Sequence, residues 1–202
     1  MKKAFTLIEM LVVMGIIAIL VGATIGAFAG MTKSAEKARC QELVSNTATA
    51  LAALFQDQGV WPKKLRTEGA HDGELNEAVA VVLARGGYMS LSTDGEKLTG
   101  YDRLGIVSPW ATAVIKQRGT SATTGDRVGS GGTIRDHILH YALDLDGDGI
   151  IEGVNVGGAS IDVRATAIVW CCGKDGKMEK YSVGLKRDDV YSWTYGQTQN
   201  VK

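Results

Sequence analysis

The run Phe5-Thr6-Leu7-Ile8-Glu9-Met10-Leu11-Val12-Val13 decides how the rest of this chain is read. Lys2 and Lys3 stand just before it, and from Phe5 to Phe28 only Thr6, Glu9 and Thr24 interrupt residues that are apolar or glycine. No proline breaks the stretch. At ~1.5 Å rise per residue, roughly 24 helical residues cover the hydrocarbon core of a bilayer. Glu9 is the exception. A carboxylate inside such a helix costs at least ~2.5 kcal/mol, and groups of this kind are usually functional and paired. A secretory signal peptide has a shorter apolar region and ends at an A-x-A-like cleavage site. A plain signal anchor has no use for the acid.

Working outward, the two lysines place the N-terminus in the cytoplasm by the positive-inside tendency, so the rest of the chain is exported. On the other side, polar residues enter at Thr32 without ending the helical pattern. Cys40, Val44, Ala48, Leu51 and Phe55 recur at steps of three or four, one stripe of a helix, while Lys33, Lys37, Glu42 and Asn46 fall on other faces. The pattern predicts one helix from Thr6 to Gln58, ended by Gly59 and Pro62.

Lys2-Lys3-Ala4 followed by Phe5-Thr6-Leu7-Ile8-Glu9 resembles the type IV prepilin leader and the start of mature pilins and pseudopilins. The resemblance implies that a membrane peptidase cuts between Ala4 and Phe5 and methylates the new amine of Phe5, and that Glu9 is needed for assembly. Ala4 departs from the glycine usual before the cut; alanine is small, and cleavage is expected to persist. A buried charge is tolerable only when paired. The positive α-amine of a neighbouring subunit's Phe5 would neutralise Glu9 and fix axial register. Gly59-Val60-Trp61-Pro62 resembles the G-x-Y-P that closes this helix in pseudopilins, and Ser108 to Val114 resembles the element that begins their head sheet. Trp170 to Gly176 with the tail Asp188-Asp189 resembles their closing segment. The whole is most like the major pseudopilin of type II secretion.

The expected fold is therefore α+β, a long N-terminal helical spine with a small C-terminal antiparallel sheet. Its parts are a leader over 1–4, a transmembrane and filament-core helix over 5–28, a head-packing half over 29–58 and a globular head over 59–202. Inside the head, Asp72 is expected to cap a short helix bearing Leu75, Val79, Val82 and Leu83 and stopped by Gly86-Gly87. Residues 88–105 read as loop, and Gly119 to Thr133 as a mobile surface loop. The latter lacks the lysine of a phosphate-binding loop, which excludes nucleotide binding by that motif. Strands are expected from His137 to Leu143, from Ile161 to Trp170, and from Met178 to Val183 after an Asp175-Gly176 turn.

The strongest site signal is Asp144-Leu145-Asp146-Gly147-Asp148-Gly149. Carboxylates at loop positions 1, 3 and 5 with glycine at 6 form the front half of an EF-hand-type calcium loop. The carbonyl of Ile150 takes position 7, and Glu152 at position 9 binds directly or through water. Asn155 stands at position 12, where an EF-hand has a bidentate glutamate. That loss weakens the site over 144–155 or leaves it to be completed by Asp162, Asp188 or Asp189. The alternative is an acidic turn that binds nothing. Major secretion pseudopilins resemble this chain in using a head-domain calcium site, so Ca²⁺ is the expected cofactor.

Other chemistry is sparse. His137 and His140 would point to opposite faces of a strand, and His71 is isolated in a polar stretch. Cys171-Cys172 is not a C-x-x-C pair; a bridge from Cys40 to either would staple helix to sheet. Net charge is zero, with 22 basic and 22 acidic residues, and gives no general attraction to nucleic acid. No nucleophile-base arrangement stands out, so no enzyme is expected. The resemblance implies a subunit held in the bacterial inner membrane with its head in the periplasm, built with itself and other pseudopilins into a periplasmic filament. Its implied partners are a prepilin peptidase, an assembly platform with its ATPase, and a secretin. A surface type IV pilus subunit for adhesion, motility or DNA uptake is the alternative. A membrane-anchored calcium-dependent enzyme or binding module is a third reading.

Overall fold

The computed structural model describes residues 7–69, 71–129, 131–182 and 188–199, with the side chains of 23–30, 33, 68 and 195 left out. The expected long helix is α1, Leu7–Gln58, 52 residues. The chain divides into two compact units, Met1–Glu36 and Lys37–Lys202. In the first, Leu7 is 83% exposed, Met14 70% and Ile19 74%. Among the described residues no helix is long and apolar enough to cross a membrane. The expected 5–28 segment lies partly outside them, at residues 5 and 6 and the side chains of 23–28.

In the second unit, α1 buries Cys40, Val44, Thr47, Ala50, Leu51 and Leu54. The steps 40-44-47-51-54 centre the inward stripe one position from the expected one, so Ala48 and Phe55 flank it, half-buried. Thr47 is tolerated there because its hydroxyl donates to the Leu43 carbonyl at 2.7 Å. Gly59 ends the helix at φ +68°, donating its N–H to Phe55 O at 2.8 Å, a left-handed cap that glycine adopts without strain.

Next come α2 (Lys63–Glu68), β1 (Gly73–Glu74) and α3 (Glu77–Arg85). The cap of α3 is Asn76, whose side chain accepts from Val79 N at 3.2 Å. Asp72, the expected cap, instead meets His140 at 2.6 Å. The stretch read as loop holds a small ribbon, β2 (Thr93–Asp94) with β3 (Lys97–Leu98). The segment expected to begin the sheet is a helix, α4 (Pro109–Arg118). Proline suits the first helical position, where its missing N–H costs nothing, and Trp110, Ala111 and Ile115 are buried. Within 119–133, expected as mobile loop, β4 (Arg127–Val128) pairs with β5 (Gly131–Thr133).

Two antiparallel sheets complete the head. The larger, in order β1-β6-β9-β10, contains β6 (His140–Leu143), β9 (Ala167–Cys171) and β10 (Val190–Tyr191). The smaller, in order β11-β8-β7, contains β7 (Ile151–Val156), β8 (Ala159–Val163) and β11 (Thr198–Gln199). The single strand expected from Ile161 to Trp170 is thus two strands in two sheets; the period of two runs through the bend at 164–166 and hides it. His137 lies in a 3₁₀ turn before β6, not in the strand. Residues 178–182 are irregular; Val183 lies outside the described residues, and β10 pairs with β9 instead.

The larger sheet is covered on both faces. Tyr141, Leu143, Val169 and Cys171 join the helices in one core, while Ala142, Ile168 and Trp170 join β7, β8 and Trp193 in the other. A strand buried on both faces reads as a continuous apolar run, which is why β9 is Ala-Ile-Val-Trp-Cys.

Candidate metal centre

The loop between β6 and β7 carries the three aspartates. One carboxylate oxygen from each of Asp144, Asp146 and Asp148 lies within 4.8 Å of the others, and no second group of three or more such ligands occurs among the described residues. Two oxygens bound to one Ca²⁺ at ~2.3–2.6 Å can be at most about 5 Å apart, so the spacing fits. An all-oxygen donor set suits a hard cation such as calcium or magnesium.

The backbone holds this arrangement. Asp144 is 5% exposed; its two oxygens accept the N–H groups of Gly147 at 2.7 Å and Gly149 at 2.9 Å. Those glycines sit at φ +81° and +84°, where a side chain would be strained. Asp148 accepts from Ile150 N at 2.7 Å. The Asp144 amide donates to Thr166 O, and its carbonyl accepts the indole N–H of Trp61 at 2.6 Å. Trp61, stacked on Phe55 at 4.7 Å, thereby positions Asp144, the first aspartate of the loop. Sequence reading placed an aromatic ring there without its partner, 83 residues away.

The remaining loop positions are spread along β7. Glu152 is exposed, and its carbonyl meets His71 Nδ1 at 3.0 Å. A recess of about 300 Å³ lined by His71, Asp146, Ile150 and Glu152 among others opens beside the loop. Asn155 stands near the far end of the strand, where its side chain accepts from Gly158 N in the β7–β8 turn. Asp162 accepts from Gly153 N on the neighbouring strand. Asp188 accepts from Lys174 N; Asp189 accepts from Gly173 N, Glu179 N and the Tyr191 hydroxyl. Those two brace the turn after β9, and burial raises the Asp189 carboxyl above its ordinary range.

The histidines are taken up separately. His140 stacks on Trp170 and pairs with Asp72. His137 is buried with Nδ1 3.0 Å from Ser108 Oγ, and burial pushes its pKa down. Glu9 lies near the N-terminal end of the described part of α1. Ala4 and Phe5, the expected processing site, lie outside the described residues.

Residues 1–25 match the family described as prokaryotic N-terminal methylation motif. The match supports a prepilin-type, type IV pilin-like subunit that a prepilin peptidase processes and that assembles with other pilin subunits. Neither a curated protein nor a solved structure matches the chain.

Proposed function

We propose that this chain is a structural subunit of a type II secretion pseudopilus, a pseudopilin assembled from the inner membrane by packing of its N-terminal helices. The methylation motif over residues 1–25 carries the reading. The exposed apolar first half of α1 supports it, since a surface of that kind calls for a lipid or protein partner. In this proposal the peptidase cuts between Ala4 and Phe5, and Glu9 pairs with the methylated amine of a neighbour. The head binds Ca²⁺ through Asp144, Asp146 and Asp148, with the Ile150 carbonyl and Glu152 as further ligands and Asn155 outside the set. The ion relieves the repulsion among three carboxylates and stabilises the fold; the subunit catalyses nothing.

A strain lacking the gene tests the class of filament. Loss of exported proteins from the supernatant with surface fibres intact supports the pseudopilus. Loss of fibres with normal export assigns the chain to a surface type IV pilus, the second reading that the same motif serves. Calorimetric titration of the purified chain tests the ion: absence of heat and of a thermal shift at millimolar calcium removes the site.

A further inference from the structure

We propose that Cys40 and Cys171 form a disulfide bond that ties α1 to the inner strand β9 of the head sheet. Their sulfurs are in contact at 2.6 Å, across 131 residues of sequence, and both residues are fully buried in the helix-side core. β9 lies between β6 and β10, so the bond would join the spine to the middle of the sheet. In this structure both are free thiols, and two buried thiols side by side are otherwise only small apolar fillers.

The pairing is selective. Cys172 follows the last residue of β9 and does not join Cys171 in the helix-side core. Its Sγ is instead engaged by the Asp136 carbonyl, and burial, with Asp189 nearby, pushes its pKa up to about 12. The Cys171 thiol is likewise held far above its ordinary range, by its contact with Cys40 first and then by burial. Thiolates attack disulfides and thiols do not, so the reaction belongs to the chain before its core closes. Its balance is simple: two S–H bonds break and one S–S bond forms. The two electrons reduce the S–S bond of an oxidised thiol–disulfide exchange partner, and the two protons leave with its released thiols. The supply of that oxidant in the cell rests on the exported placement of the head, since the compartment outside the inner membrane is oxidising.

The test uses the full chain, purified in detergent, refolded with oxidised glutathione and then alkylated under denaturing conditions. The expected result is one alkylated cysteine, Cys172, before reduction and three after it, with a Cys40–Cys171 peptide pair two hydrogens lighter than its parts. Three alkylated cysteines before reduction, or Cys172 in the link, overturns the pairing. Chains alkylated directly in cells separate the two readings. A bond that forms with glutathione but is absent in cells rejects the exported placement and leaves the pairing standing. Cys40→Ser and Cys171→Ser should each lower the non-reducing Tm by roughly 10 °C, as expected for a long closed loop; Cys172→Ser should keep the link. Should either variant fail to fold, adding reductant to the unaltered chain must give the same drop, and no drop overturns a stabilising bond.

Discussion

The two halves of α1 use the same kind of residue to opposite ends. From Leu7 to Val21 the large side chains are exposed, Leu11 at 65% and Leu20 at 60%. From Cys40 to Leu54 the inward stripe is closed off, with Val44, Leu51 and Leu54 fully buried. The first half is apolar on every side and carries one acid, Glu9; the second is apolar on one face only. Periodicity therefore distinguishes a helix that packs its own chain from one whose partners are elsewhere. Total hydrophobicity does not.

Substitutions break that contrast in order of effect. Glu9→Ala should abolish filament assembly: in the proposed filament it removes one member of a buried ion pair, a loss of about 3–5 kcal/mol at each contact. The thermal unfolding of the head should not move, and filaments of normal yield in sheared fractions would refute the register role. Leu51→Ala should cost the head about 2–5 kcal/mol by leaving a cavity. Leu11→Ala should change head stability by less than about 0.5 kcal/mol; similar losses in denaturant titrations of both would erase the contrast. Saturating calcium at a hundred times its Kd should add ~2.7 kcal/mol to the unaltered chain. Asp146→Asn should remove that gain without lowering the calcium-free Tm, and a Tm rise in both proteins would place the ion elsewhere.

Trp61→Phe tests the join between the buried half and the aspartate loop. It deletes the indole N–H that reaches the Asp144 carbonyl, and should cost about 1–2 kcal/mol and weaken calcium binding in the same titration. The smallest effect belongs to His137. Its folded pKa is depressed by burial, so below the ordinary value near ~6.5 the unfolded chain binds more protons than the folded one. Stability is then fully present above that pH and falls as pH drops through it, by at most about 1.4 kcal/mol per pH unit. His137→Gln should flatten the part of the Tm profile between pH 7.5 and 5.5 that this residue supplies; identical profiles would assign the slope to other groups.

What was legible in the sequence follows from range. The helix α1, its end at Gly59 and the aspartate spacing are set within a few residues, and the chain spells them out. The α+β order was legible too. The bend at 164–166 was not, since Ile161 to Trp170 keeps one alternation while changing sheets. Nor was α4: the likeness of Ser108 to Val114 to a sheet-opening element rests on Pro109 and Trp110, whereas Trp110, Ala111 and Ile115 are buried at helical spacing. At the aspartate loop, the three carboxylates were readable from spacing, whereas the Trp61 contact and the turn that takes up Asn155 depend on pairings across the fold.

Those distant pairings also set a clock. The stripe of α1 is synthesised early, yet Cys40 meets Cys171 after 131 residues, and Gln41 reaches the Tyr191 carbonyl after 150. At roughly 5–20 residues per second of synthesis, the stripe waits on the order of ten seconds for the strand that covers it. The head therefore closes once and late, when nearly all of the chain has been made.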